Sequence, residues 1–243
     1  MNLEKLIEAG SAAQQLGNYA EAEVIWQRSL KQDPGNAYVY LKLGISLDYQ
    51  GRTEEAISAY KTATELAPNY AAAYLNMASA LADQQRFEEA ITAYQRAIAL
   101  DSSQPHPHVG LGMVLVNQKE YDKAIASFQQ AIKLDPQSVP AHYHLGLALN
   151  EQGRYEEASR ALQQTTKLVP DQAVVYQHLG QMLGNQGKFN EAIAAFQQAI
   201  KLDPDNPNLY QNLGIALNAV DRGEEGAAAL QKFLSLKREQ ASQ

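Results

Sequence analysis

The chain contains no cysteine. That excludes disulfides, thiolate metal ligands and a thiol nucleophile together. Basic residues are also scarce: 20 Lys and Arg face 27 Asp and Glu, for a formal net charge of -7. Binding to nucleic acid needs a basic face that displaces counterions from phosphates, so no nucleic-acid partner is expected. No run of about 18 apolar residues occurs, so no membrane insertion through a helix is expected. The start, Met1-Asn2-Leu3-Glu4-Lys5, is not a basic segment leading into an apolar one. No signal peptide is therefore expected, and the location is read as cytoplasmic. Hydrophobic residues still make up 45% of the 243, against 19% charged, which is a composition that folds.

What the chain does have is a repeat. Asp33-Pro34, Ala67-Pro68, Asp101-Ser102, Asp135-Pro136, Val169-Pro170 and Asp203-Pro204 recur at a strict 34-residue spacing. Between these marks the same columns return. Gly10, Gly44, Ala78, Gly112, Gly146, Gly180 and Gly214 form one small-residue column, and Ala22, Ala56, Ala90, Ala124, Ala158 and Ala192 another. Trp26, Tyr60, Tyr94, Phe128, Leu162 and Phe196 form a large column four residues after the second. Seven units of 34 residues account for all but five of the chain.

Each unit reads as two helices. Tyr40, Leu43, Gly44 and Leu47 hold one helical face. Gln50-Gly51-Arg52 follows as a turn whose glycine suits the left-handed conformation that ends a helix. Ala56, Ile57, Tyr60 and Ala63 then resume the period. The Asp-Pro mark ends the second helix, because proline cannot continue it and disfavours helix in the residue before. The small columns predict close approach of the two helices, with the large column filling the space between neighbouring units. One helix pair cannot bury both of its faces, so the pairs are expected to stack.

Tyr40, Leu43-Gly44, Ala56, Tyr60, Ala63 and Pro68 match the motif of the tetratricopeptide repeat family, which the chain resembles over residues 3–236. The resemblance implies an all-α, right-handed superhelical solenoid of seven antiparallel helix pairs. Its repeats would be 3–36, 37–70, 71–104, 105–138, 139–172, 173–206 and 207–236, followed by a C-terminal tail at 237–243. It also implies a concave side, lined by the first helix of each pair, that binds an extended or helical segment of another protein. A protein or peptide is the expected partner. A homo-oligomer through the end repeats or the groove is the alternative, and an assembly factor for a larger complex is a narrower form of the same idea.

Two places depart from the pattern. In the seventh repeat Gly223 takes the aromatic position and Gly226 replaces the alanine, so this repeat is expected to act as the C-terminal cap. In Asp101-Ser102-Ser103-Gln104-Pro105-His106-Pro107 the usual proline is lost and two others appear. The first helix of the fourth repeat is therefore expected to start late, with His106 pushed away from helix by Pro107.

The candidate groove residues are those on the first helices that serve no packing column. They are Tyr38, Lys42 and Tyr49; Leu75 and Asn76; Val109, Met113, Val116 and Asn117; Tyr143, His144, Leu147 and Asn150; Gln177, His178, Gln181 and Asn185; and Gln211, Asn212 and Asn218. Amides carry both donors and acceptors and can pair with the backbone of a bound segment. The apolar middle could hold an apolar side chain, with Met113 letting the pocket adapt. Tyr19, Tyr60, Tyr94, Tyr121 and Tyr155 follow the packing columns and are read as core.

No cofactor, metal site or catalytic residue is expected, and the chain is not read as an enzyme. The pairs His106/His108 and His142/His144 are two residues apart, which on a helix points them away from each other. His144 and His178 share a column, but neighbouring helices lie about 8–10 Å apart, wide for two ligands of one zinc at about 2.0–2.1 Å each. No glycine-rich loop follows a strand and no nucleophile motif has its context.

Overall fold

The computed structural model describes residues 2–241 and contains no strand among them. Fourteen helices follow in order. They are α1 Leu3–Gln15, α2 Tyr19–Gln32, α3 Ala37–Asp48, α4 Thr53–Leu66, α5 Ala71–Asp83, α6 Phe87–Leu100, α7 His106–Asn117, α8 Tyr121–Leu134, α9 Val139–Glu151, α10 Tyr155–Leu168, α11 Ala173–Asn185, α12 Phe189–Leu202, α13 Pro207–Asn218 and α14 Gly223–Ala241. They form an all-α solenoid of helix pairs in two compact units, Met1–Glu120 and Tyr121–Gln243. The division falls in the turn after α7.

In the first unit each helix packs on its neighbours in the chain, and the first helices also touch one another, α1 on α3, α3 on α5 and α5 on α7. In the second unit α8 through α14 pack in the same serial way, and α11 touches α13.

The turn inside each pair needs one left-handed residue. Gly17, Gly51, Gly153 and Gly187 supply it at φ of 71–77°, while Gln85, Lys119 and Asp221 adopt the same conformation without being glycine. Between pairs, the aspartate of the Asp-Pro mark accepts hydrogen bonds from the turn it begins. The Asp33 carboxylate takes Gly35 N–H at 3.3 Å and the Asn36 side chain at 2.9 Å, and Asp203 takes Asn206 at 3.1 Å. The mark is thus an Asx turn as well as a helix stop.

The small and large columns meet more directly than the sequence suggested. A Cβ placed on Gly44 would lie 2.5 Å from the Tyr60 ring, and one on Gly180 2.6 Å from Phe196. The large side chain therefore rests on the glycine of its own pair, rather than only filling space between pairs. Gly110, outside that column, plays the same part beneath Tyr94 of the preceding pair. Tyr60 and Tyr94 are buried as expected, but Tyr19, Tyr121 and Tyr155 are only half-buried.

The fourth pair does start one position late, at His106. His106 is nonetheless helical, because Pro107 falls in the first helical turn, where proline is tolerated. At the other end α14 runs on to Ala241, so residues 237–241, expected to be tail, are helix; 242 and 243 lie outside the described residues.

Candidate functional site

In the first unit the exposed face of the first helices is largely engaged with its own scaffold. Gln14 of α1 donates through Nε2 to the Lys42 carbonyl and to Ser46 Oγ, both at 2.8 Å. The Lys42 ammonium lies 5.4 Å from the Tyr38 ring, and Tyr38 meets the edge of the buried Trp26 at 6.5 Å. Tyr49 is 69% exposed, yet it stacks on Tyr19 at 4.4 Å and 3°. Asn76 donates to the Ala72 carbonyl at 2.8 Å and Asn117 to the Met113 carbonyl at 3.0 Å, each one turn back on its own helix. Leu75 and Val116 are half-buried and Met113 is exposed, whereas Val109 is buried and presents little surface.

Asp48, at the end of α3, has its carboxyl pushed up by burial; a Thr53 hydrogen bond offsets part of this and the charge of Asp83 adds to it. The Tyr60 hydroxyl is pushed up chiefly by burial, and further by Asp48 and Tyr49.

The second unit differs. On α9, His144 stacks on Phe128 of α8 at 5.9 Å and meets the edge of Tyr143 at 5.2 Å. The Tyr143 hydroxyl lies 3.0 Å from Nδ1 of His178 on α11, which ties two first helices together. Burial pushes both imidazoles down and the Tyr143 phenol up, so all three are neutral near pH 7. With the hydroxyl as donor, His178 keeps its proton on Nε2 and retains a donor for something else.

Around this cluster the amides are unused. Gln177, Gln181 and Asn185 on α11, and Gln211 and Asn212 on α13, make no side-chain hydrogen bond among the described residues. Asn218 also makes none, but its side chain packs against Gly226. Asn150 reaches Glu151 weakly at 3.4 Å, and Leu147 is half-buried beside it. Val174 and Ile215 add exposed apolar surface, at 45% and 58%. The face can accept and donate hydrogen bonds without first breaking its own. Among the described residues no three of His, Asp and Glu come close enough to hold a metal ion.

Two features escaped the sequence reading. The turn arginines clamp the second helices, Arg52 to Glu55, Arg86 to Glu89, Arg154 to Glu157 and Arg222 to Glu225, at 2.6–2.8 Å. The Arg-x-x-Glu spacing is visible in the sequence, and the glutamates at these helix starts also suit the helix dipole. Crevices lie among α2, α3 and α4, among α4, α5 and α6, and among α8, α9 and α10. The one between α4, α5 and α6, over Ile57, Tyr74, Met77 and Leu81, has a volume of about 530 Å³.

The family profile of the cilia and flagella-associated protein 70 C-terminal domain matches residues 70–243, and a tetratricopeptide repeat profile matches residues 49–85. No curated protein sequence matches. MamA from Desulfovibrio magneticus RS-1, residues 41 to the end, is 26% identical, with TM-score 0.66 over 70% of this chain and 96% of its own. YrrB, a tetratricopeptide repeat protein with an unusual peptide-binding site, is 22% identical, with TM-score 0.66 over 81% of this chain and 97% of its own. A tetratricopeptide repeat protein from Parabacteroides merdae is 21% identical, with TM-score 0.70 over 96% of this chain and 93% of its own. The last two speak to the fold alone.

Proposed function

The chain belongs to the tetratricopeptide repeat family that includes the C-terminal domain of cilia and flagella-associated protein 70, and from that premise we propose that it is a protein-binding scaffold. Its first helices hold a segment of a partner protein, and the reaction, if any, belongs to the partner. The fold by itself does not choose among functions. The observation that carries this reading is the row of amides on α11 and α13 that have no hydrogen-bond partner among the described residues, beside the Tyr143–His178 pair. An amide that is already solvated and unpaired exchanges water for a partner's backbone at little cost, whereas Asn76 and Asn117 must first release their own helices. The half-buried and exposed apolar residues Leu147, Val174 and Ile215 supply contact area.

The test is differential capture from a native lysate. Wild type is compared with Gln177→Ala/Gln181→Ala/Asn212→Ala and with Asn76→Ala/Asn117→Ala, each checked by circular dichroism. We expect a partner that wild type and the second variant retain and the first loses. An unchanged partner set on a folded triple variant removes these amides from the site.

A further inference from the structure

We propose that the crevice between α4, α5 and α6 is a second binding site, which takes a bulky apolar side chain flanked by Asp or Glu from a segment of a partner protein. It shares no residue with the first-helix face of the second unit, so either site can fail alone.

The crevice belongs to the repeating frame, but its charges do not. Its volume of about 530 Å³ lies in the range of about 300–1,000 Å³ usual for small-ligand sites. Ile57 and Leu81 are buried at its floor, and Tyr74 and Met77 are half-buried. The crevices among α2, α3 and α4 and among α8, α9 and α10 are lined from equivalent positions of their own repeats. In the first of these, Glu23 stands where Ile57 does, and Gln27 and Thr62 stand where Lys61 and Arg96 do. In the other, Gln129 and Gln164 take those two places. Of the three, the middle crevice carries a cation on each of its second helices, Lys61 on α4 and Arg96 on α6.

Neither cation is spent on the scaffold. The Lys61 ammonium makes no ion pair or hydrogen bond among the described residues. Its charge reaches Glu89, but that carboxylate is held low first by its hydrogen bond from Arg86 and only more weakly by Lys61. Arg96 donates one N–H to the Pro68 carbonyl at 3.2 Å and lies 5.8 Å from the Tyr74 ring, which leaves its other N–H groups open. On α13 the equivalent tyrosine, Tyr210, donates to the Pro204 carbonyl at 3.0 Å. Here Arg96 holds the carbonyl, and the Tyr74 hydroxyl makes no hydrogen bond among the described residues. Two unpaired cations and a free phenol around an apolar floor suit an anion joined to an apolar group.

Glu65 decides between a peptide and a free amphipathic acid. It lines the same crevice, is exposed and forms no ion pair among the described residues. A carboxylate only accepts hydrogen bonds. A peptide brings backbone N–H donors to it beside the Asp or Glu that meets Lys61 and Arg96. A fatty acid has no donor to bring and would set its tail or its own charge against Glu65.

Methyl NMR of the full chain with labelled methionine tests this, because Met77 lines the crevice while Met113, 42% exposed on α7, serves as a reference. The probes are acetylated, amidated pentapeptides Gly-Asp-X-Asp-Gly with Phe, Leu or Trp at X, their counterparts with Asn for Asp, and decanoate. At least one acidic peptide is expected to shift the Met77 methyl saturably and leave Met113 in place. Its Asn counterpart should bind about tenfold more weakly or worse, the loss of one or more charge-assisted hydrogen bonds. Lys61→Gln and Arg96→Gln should each weaken it by about tenfold and stay folded by circular dichroism, since glutamine already occupies these positions at Gln129 and Gln164. Lys61→Arg should keep the binding. The proposal is overturned by a Met77 methyl that no acidic peptide shifts, by equal affinity for the Asn counterparts, or by a folded Lys61→Gln/Arg96→Gln variant that binds like wild type. Decanoate binding more tightly than every peptide also overturns it.

Discussion

The two units are built from the same columns, yet their first-helix faces treat polar groups in opposite ways. In Met1–Glu120 the amides fold back on their own helices and the aromatics stack on the scaffold, as Asn76, Asn117 and Tyr49 do. In Tyr121–Gln243 the corresponding helices leave Gln177, Gln181, Asn185, Gln211 and Asn212 without hydrogen-bond partners among the described residues, and a tyrosine–histidine pair sits among them. Repetition thus preserves the frame and leaves the exposed positions to diverge. Amides occur on both faces, but in the second unit they are more numerous and most make no side-chain hydrogen bond among the described residues.

Substitutions that strike the shared frame should erase the distinction between the units. Tyr60→Ala and Phe196→Ala remove the side chains that rest on Gly44 and Gly180, and each is expected to destabilise its unit by about 3–5 kcal/mol. Urea unfolding measures both; a large loss in one unit with a negligible one in the other would mean that the frames are not equivalent. Binding should restore the distinction. Three lost amide hydrogen bonds at about 0.5–1.5 kcal/mol each predict at least a roughly tenfold weaker partner for Gln177→Ala/Gln181→Ala/Asn212→Ala by titration calorimetry. Asn76→Ala/Asn117→Ala should change affinity little.

A smaller effect concerns the Tyr143–His178 bond. Tyr143→Phe should lower the stability of the second unit by about 1 kcal/mol. The same site predicts a pH dependence. His144 and His178 titrate below the ordinary value of about 6.5 when folded, because burial disfavours the imidazolium. As pH falls through 6.5 the unfolded chain therefore takes up protons that the folded one resists, and stability declines; it is fully recovered above that value. Thermal melts at pH 5 and pH 7 check this, and His144→Phe/His178→Gln should flatten the difference. The smallest effect is in the turns. Gly187→Ala should cost about 1 kcal/mol, and Gln85→Gly should gain somewhat less, because both positions are left-handed. Chemical denaturation resolves the pair of opposite signs.

Much of this frame was legible in the sequence. The 34-residue period fixed the helix pairs, Gly51 announced the left-handed turn, and Tyr60 and Tyr94 announced the core. What periodicity could not reveal is which atom meets which. The resting of Tyr60 on Gly44 within its own pair depends on how closely two helices approach, and the same contact at Gly110 falls outside the glycine column. The helical status of His106 and the extension of α14 to Ala241 turned on local positions that a propensity reading averages over. The candidate face was legible as a set of columns. The internal engagement of Asn76 and Asn117, and the freedom of Gln181 and Asn212, were not, because side chains of the same type in equivalent columns differ only in their rotamers and neighbours.

The central claim is that the first-helix face of the second unit is where a partner docks. Amide hydrogen exchange of the full chain, with and without the captured partner, tests it most directly. The account predicts slowed exchange on α9, α11 and α13 with α3 and α5 unchanged. Protection confined to α3 and α5, or to the second helices, would contradict it.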